Sequence, residues 1–295
     1  MIGDELEQVR TPTGPAFADA VTFAFGDAEA QVYGLARIGL SPASEGEGRQ
    51  GSALAVLFAG REPVAAIARG GLDVPGDAGW DAISLGGLSM TVGEPLREWN
   101  VAMEGEQHGF ELRFEALSPP AEITGEDPLP QAGGMAGYEQ LCGVTGVVRA
   151  GGKPVEVRCL GQRGHGWGEP DWERIELART ISAWPGAGPG VALSSVRPGG
   201  AAHAEEPVWA ALLDDAGTAR VDDPRLSTTY DADGRQRRAG LELWVHGEEY
   251  PLRGSGEVLC GSTLDLGALR LECAFFRWRV EGGTGVGRYD VLRRA

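Results

Sequence analysis

Apolar and polar residues alternate along many short segments of the chain. In residues 110–114 and 155–159, apolar side chains fall on one face of an extended strand and charged side chains on the other. Residues 241–245 and 269–275 largely follow the same period of two. This pattern is typical of antiparallel strands with one buried face, and no long segment has apolar residues at helical spacing. The pattern predicts an all-β protein with few short helices.

One segment divides these strands into two groups. Residues 118–134 concentrate proline, glycine and acidic residues, which is typical of a linker. Each side of it holds enough predicted strands for a sheet that curls on itself, and 295 residues suffice for two cores. We therefore expect two β-domains, at residues 1–130 and 131–295.

The charge of the chain excludes several classes of partner. The chain has 43 acidic and 26 basic side chains, a formal net charge of −17. Nucleic acids and anionic membrane surfaces repel such a protein, so neither is expected as a partner. The N-terminus lacks signal-peptide features, and no apolar run approaches the roughly 20 residues of a transmembrane helix. We expect a cytoplasmic protein with no transmembrane segment.

Common catalytic and cofactor motifs are missing from the sequence. The four histidines are scattered, so no spacing typical of a metal site exists. A phosphate-binding loop is excluded because Lys153, the only lysine, does not fit its pattern. We therefore expect neither a metal nor a cofactor.

Residues 161–172, Gly-Gln-Arg-Gly-His-Gly-Trp-Gly-Glu-Pro-Asp-Trp, form the one dense group of chemically active side chains. They are interpreted as a glycine-spaced, loop-like segment in which His165 and Trp167, two residues apart, face the same side when extended. A histidine beside a tryptophan can act as a general acid or base in an apolar pocket, and Trp172 and Trp184 could extend its aromatic wall. The alternative is a hydrogen-bonded core histidine in a segment that plugs a barrel end.

These residues resemble the motif G-x-R-D-H-S-W-G-x-R-D-W of the AttH / carotenoid 1,2-hydratase (hydroxyneurosporene synthase) superfamily. Residues 138–146 resemble the strand that precedes the motif in that group, and residues 276–289 its C-terminal strand pair. The resemblance implies two packed lipocalin-like β-barrels with a ligand cavity near their interface. It also implies a cofactor-independent hydratase, cyclase or isomerase that acts on a hydrophobic isoprenoid- or polyketide-like molecule.

The chain departs from the motif at one telling position, because Gly164 replaces the aspartate. A hydratase protonates an alkene and needs a carboxylic acid that stays protonated in an apolar site. Another carboxylate, Asp171 or Glu139, would have to take that role, while Glu242 and Glu272 are more simply explained as solvated. The candidate catalytic residues are His165, Asp171 and Glu139, and the candidate substrate-binding residues are Trp167, Trp172, Tyr138, Arg163 and Trp184.

Two other functions stay open at this point. A lipocalin-like barrel can bind one apolar small molecule without catalysis, and the missing aspartate favours such a binder. A structural or interaction module, with its cavity filled by side chains, is the third hypothesis.

Overall fold

The computed structural model describes residues 4–43 and 48–295, and these residues form a nearly all-β protein, which confirms the predicted fold class. Eleven strands form the first sheet: β1 (Ala18–Asp27), β2 (Val32–Pro42), β3 (Arg49–Ala59), β4 (Glu62–Asp73), β5 (Ala82–Leu85), β6 (Leu88–Glu94), β7 (Glu98–Met103), β8 (His108–Ala116), β9 (Ala121–Ile123), β10 (Met135–Ala150) and β11 (Lys153–Gly168). The helical elements are α1 (Pro128–Gly133) and 3-10 turns at Asp4–Glu7 and His203–Glu205.

The remaining strands form a closed antiparallel barrel. They are β12 (Ile175–Pro185), β13 (Gly190–Pro198), β14 (Val208–Leu213), β15 (Thr218–Tyr230), β16 (Gln236–Val245), β17 (Leu252–Asp265), β18 (Leu269–Val280) and β19 (Gly283–Arg294). Each strand pairs with the next in sequence, and β19 pairs back to β12, so that no edge strand remains in this sheet.

The first sheet curls into a nearly closed barrel. Its strand order is β4-β3-β2-β1-β11-β10-β8-β7-β6-β5, with β9 added to β10. The two ends of this order approach each other, because a Cβ atom on Gly86, which directly follows β5, would lie 3.0 Å from a methyl carbon of Leu72 on β4. The two predicted barrels are therefore present.

The sheets divide the chain later than the expected boundary at residue 130. Strands β10 and β11 complete the first barrel, so the change of barrel falls between Gly168 and Ile175. The proline- and glycine-rich segment before β10 is ordered structure rather than a free linker. Proline begins α1, where its missing N–H costs nothing, and Gly134 ends the helix with φ 70°.

A shared apolar core joins the two barrels into one body. Each barrel has its own interior core, and a third cluster fills the space between them. In this third cluster the ring of Tyr33 on β2 stacks on Phe275 of β18, with 5.6 Å between centroids. Phe58 of β3 meets the same Phe275 ring edge-on at 5.9 Å. The outer face of the first barrel thus packs on the outer face of the second.

The helices in the described part of the chain are all too short or too polar to cross a membrane.

A buried carboxylate of the second barrel, Glu206, follows the His203–Glu205 turn and connects it to β12 and β13. Glu206 accepts hydrogen bonds from Ser195 Oγ at 2.5 Å and Arg197 Nη2 at 3.2 Å, and it also pairs with Arg179. Burial alone would raise the pKa of Glu206, but the Ser195 hydrogen bond and the two guanidiniums lower it below its ordinary value. The carboxylate is therefore ionised and fully partnered.

Replacing this carboxylate should be costly. We expect Glu206→Ala to lower the free energy of unfolding by about 3–5 kcal/mol, because it leaves the buried Arg179 without its counter-charge. Urea denaturation measures the change. The matched control is Glu257→Ala, whose partner Arg238 and own side chain are 73% and 69% exposed. That control should change stability by less than about 0.5 kcal/mol, and equal effects of the two substitutions would contradict the assignment.

Candidate functional site

A cavity of about 460 Å³ lies between the two barrels. Its walls are mostly apolar and come from both barrels and from α1, and they include Leu35, Leu54, Leu129, Trp172, Val196, Leu271 and Leu292. Charged side chains also line it, chiefly Arg37 and Glu139 from the first barrel and Arg288 and Asp290 from the second. A mostly apolar concave site with a few convergent polar groups is typical of a small-molecule site.

Strand register explains how the first barrel presents its polar groups to this cavity. Arg37 pairs with Thr22, Thr22 with Gly164, and Gly164 with Glu139, which makes one row across β2, β1, β11 and β10. Side chains in one row across a sheet point to the same face. This row therefore faces the second barrel, whereas the flanking positions face the interior of the first barrel.

The carboxyl group of Glu139 fills the space left free at Gly164. A Cβ atom on Gly164 would lie 2.7 Å from Oε2 and 2.8 Å from Oε1 of Glu139. Both distances are too short for a real contact, so a side chain at position 164 and this placement of Glu139 exclude each other. Position 164 is the one where the motif has aspartate, and the chain has a carboxyl group there from the neighbouring strand instead.

Two further side chains orient Glu139. The indole Nε1 of Trp184 donates to Oε1 of Gln162 at 3.2 Å, and the Gln162 amide nitrogen donates to Oε2 of Glu139 at 2.7 Å. An indole can only donate, so it fixes which end of the amide faces it. The amide nitrogen of Gln162 is thus directed at Glu139, whose Oε2 must accept and whose other oxygen is left for the cavity.

The surroundings of Glu139 favour its protonated form. Burial raises the pKa of Glu139 above its ordinary value, and this effect exceeds the opposing influence of Arg288, Gln162 and Arg163. Burial also raises the pKa of Asp290, which lies 3.5 Å from Nη1 of Arg288. A carboxyl group that stays protonated in an apolar site can act as a general acid.

The opposite face of β11 at residues 161–168 points into the interior of the first barrel. His165 Nε2 lies 2.6 Å from Oδ1 of Asp19, and Nδ1 lies 2.8 Å from the backbone oxygen of Leu6. Trp80 Nε1 and the backbone N–H of Arg10 both donate to Oδ2 of Asp19, at 3.2 and 2.7 Å. His165 borders the cavity, but its imidazole has no exposed surface. The imidazole therefore holds buried partners and does not reach the cavity.

Arg163 makes a second buried connection to the N-terminal segment. Its Nη2 pairs with Oε2 of Glu7 at 2.7 Å, its Nη1 donates to the Tyr138 hydroxyl, and its guanidinium lies 4.5 Å from the ring of Trp99. Next along the strand, Trp167 packs under the guanidinium of Arg10 at 4.0 Å. Positions 163, 165 and 167 thus bind the N-terminal segment inside or at the rim of the first barrel.

The family of the chain follows from its full-length match to one family model. That model, described as a domain of unknown function (DUF7064), matches residues 2–295. The chain belongs to the DUF7064 family. No curated protein matches this DUF7064 chain closely enough to count as a relative.

Solved structures show which fold the DUF7064 chain shares. A protein from Nitrosomonas europaea assigned as AttH matches with a TM-score of 0.66 at 14% identity, over 99% of this chain and 94% of that chain. CghA with Sch210972 matches with a TM-score of 0.64 at 13% identity, over 95% and 89%. Kievitone hydratase from Nectria haematococca matches with a TM-score of 0.65 at 10% identity, over 94% and 88%. The expected resemblance to AttH and carotenoid hydratase-like proteins is confirmed for the fold.

The predicted site residues of the DUF7064 chain separate into three places. Glu139 and Trp172 line the cavity, and Trp184 supports Glu139 through Gln162. The side chains of His165, Arg163, Tyr138 and Trp167 cluster at the first barrel, and His165 and Tyr138 also border the cavity. Asp171 lies on an exposed turn, where its carboxylate accepts from the backbone N–H of Glu173 at 3.0 Å, and it does not line the cavity.

The motif segment also differs locally from the expected loop. Residues 161–168 are the end of β11, paired with β1 on one side and β10 on the other. Its glycines allow close strand approach: at Gly161, a Cβ would lie 2.4 Å from the backbone oxygen of Ala24. The segment is therefore a strand, and its two faces serve the interior of the first barrel and the cavity, whereas the sequence predicts a loop with its side chains on one side.

Sequence reasoning missed Gln162, Arg37, Arg288 and Asp290. A weak signal exists for the three charged residues, because Arg37 is a lone charge in the apolar strand β2, and Arg288 and Asp290, spaced by two, break the apolar pattern of β19. Gln162 has no such signal. The sequence alone does not indicate that these two strands face one another.

The buried position of His165 gives a prediction that separates a structural from a catalytic role. We expect His165→Ala to lower the free energy of unfolding by about 2–5 kcal/mol, because Asp19 and the Leu6 carbonyl lose a buried partner. Urea denaturation measures this, with His246→Ala as the control, since the His246 side chain is 97% exposed. Unchanged stability together with lost ligand turnover would instead assign His165 a catalytic role.

Proposed function

We propose that the protein is a cofactor-independent enzyme of hydratase or cyclase type, in which Glu139 is the general acid and the inter-barrel cavity binds an apolar, unsaturated substrate. The observation that carries the proposal is the carboxyl group of Glu139 in the space beside Gly164, with its pKa raised by burial. A hydratase among the proteins of the same fold supports this chemical class.

The proposed reaction begins with proton transfer. The Glu139 carboxyl group donates its proton to one alkene carbon, which leaves a carboxylate and a carbocation on the substrate. The ring of Trp172 in the cavity wall stabilises the positive charge by cation–π attraction. Water then adds to the cation and returns a proton to Glu139. Alternatively, a second alkene of the substrate attacks the cation and closes a ring, and the new cation loses a proton to the Glu139 carboxylate. Both routes restore the acid.

Gln162 acts in this proposal as a positioning residue. Its amide nitrogen holds Oε2 of Glu139, so the acidic proton resides on the oxygen that faces the cavity. Trp184 fixes the amide in turn.

A non-catalytic binder of an apolar molecule is the second candidate function. The mostly apolar walls of the cavity favour it, because apolar burial alone gives affinity without an acid. Binding of unsaturated isoprenoids without any conversion would select this function.

The role of Glu139 is tested by a panel of unsaturated isoprenoid alcohols and acids, incubated in isotopically labelled water and followed by mass spectrometry. We expect Glu139→Gln to reduce label incorporation by about 100-fold or more, because the amide cannot donate an acidic proton. Gly164→Ala should also lower turnover, since the methyl group displaces the carboxyl group of Glu139.

An exchange of the two positions provides the matched control. In Glu139→Ala/Gly164→Asp, a carboxyl group returns from the other strand, and we expect part of the lost turnover to recover. Glu242→Gln, on β16 and outside the cavity, should leave turnover unchanged. Full turnover in Glu139→Gln would contradict the proposed acid.

The raised pKa of Glu139 also predicts a dependence of stability on pH. In the unfolded chain the Glu139 carboxyl group has its ordinary pKa of 4.5, whereas its pKa in the folded state is higher. As the pH rises, the unfolded chain therefore loses this proton before the folded protein does. Its contribution to stability is therefore lost as the pH rises through the folded pKa. We expect urea denaturation at about pH 5 and about pH 8 to show a smaller loss for Glu139→Gln than for the unmodified protein. An unchanged or larger loss would contradict the shift.

A further inference from the structure

The cavity contains a pair of guanidiniums that the proposed acid chemistry does not use. Arg37 enters from β2 of the first barrel and Arg288 from β19 of the second, and both line the same cavity. Burial, followed by the nearby Arg288, lowers the pKa of the Arg37 guanidinium. A guanidinium nevertheless stays charged in proteins, so two positive charges face a mostly apolar space.

Arg37 is poorly compensated by the protein itself. Among the residues that the structure describes, it makes no ion pair, and its one side-chain hydrogen bond goes to Thr22 Oγ1 at 3.3 Å. Arg288 is only partly compensated, because Nη1 lies 3.5 Å from Asp290 and its Nε is buried without a hydrogen-bond partner. A cation that faces an apolar cavity without an ion-pair partner is costly, so a counter-charge is expected in the cavity.

The carboxyl groups of the cavity do not supply that charge fully. Burial raises the pKa of both Glu139 and Asp290, and the proposed reaction needs Glu139 protonated. With Glu139 neutral, the four cavity groups carry a net positive charge even when Asp290 is ionised. A ligand that brings a negative charge would balance the site, and it would also keep Glu139 protonated by repelling its ionised form.

We infer that Arg37 and Arg288 form an anion-binding subsite and that the substrate is an apolar molecule with a carboxylate group. The carboxylate binds between the two guanidiniums, where a guanidinium can donate two parallel hydrogen bonds. The apolar part of the molecule lies along Leu35, Leu54 and Leu271 of the cavity wall. Only the statement that this molecule is the substrate rests on the proposed function, because binding of the carboxylate does not depend on catalysis.

The test compares a charged probe with its uncharged methyl ester. cis-Parinaric acid, an unsaturated fatty acid whose fluorescence rises on burial, is titrated against the protein alongside its methyl ester. We expect the acid to bind at least about tenfold more tightly than the ester, as charged hydrogen bonds in a buried site imply. Equal affinities, or no binding of either probe, would overturn the inference.

Substitutions locate the preference. Arg37→Gln should reduce the preference for the acid to less than about threefold, while Arg37→Lys, which keeps a charge without the planar fork, should retain part of it. Arg61→Gln is the matched control, because Arg61 is an exposed arginine that lines a different groove. A preference that survives Arg37→Gln or is lost in Arg61→Gln would overturn the assignment. Thermal denaturation of each variant verifies that it is folded.

The same experiment separates failure of this inference from failure of the proposed function. Glu139→Gln is expected to bind the acid with its preference intact while losing turnover. If the unmodified protein binds the acid and the ester equally well while its turnover still depends on Glu139, only the anion subsite is overturned. A retained preference with turnover indifferent to Glu139 would overturn only the acid.

Discussion

The pairing of β10 with β11 is the interaction on which the rest of the structure depends. The two strands stay in register from Met135 opposite Gly168 to Ala150 opposite Lys153. Because successive residues of a strand point to opposite faces, one pair of strands serves two environments. Tyr138, Arg163 and His165 organise the interior of the first barrel, while Glu139, Gln162 and Gly164 face the second. A shift of one residue would exchange these sets and destroy both.

Much of the fold could be predicted from the sequence because alternation is a local property. The strands at residues 110–114 and 241–245 follow directly from their patterns. Long-range placement is different. The glycine-rich motif segment has no apolar alternation to mark it as a strand, since glycine lacks a side chain, and the expected domain boundary followed from proline and glycine content alone. Nothing local indicated that β10 and β11 complete the sheet that precedes them.

The candidate site was predictable only where chemistry is concentrated in sequence. The absence of the motif aspartate points to Glu139 as a replacement, and the structure brings its carboxyl group to Gly164 from the adjacent strand. The sequence also points to His165, but the inward direction of its side chain depends on the register with β1, which the sequence does not reveal. Arg288 and Asp290 reach the cavity only because the second barrel packs its outer face there. Such contacts depend on how the two sheets pack, and no local sequence pattern can predict them.

The pairing of β1 with β11 has a consequence for synthesis on the ribosome. Ala18 pairs with Gly168, and Glu7 pairs with Arg163 at a separation of 156 residues. The first barrel therefore cannot close until β11 has left the exit tunnel, and until then β1 has a bare edge on the side that β11 will cover. By contrast, every strand of the second barrel pairs with its sequence neighbour before the last one closes the ring. The nascent first half thus has an unpaired strand edge for longer than the second half, and such an edge favours edge-to-edge aggregation.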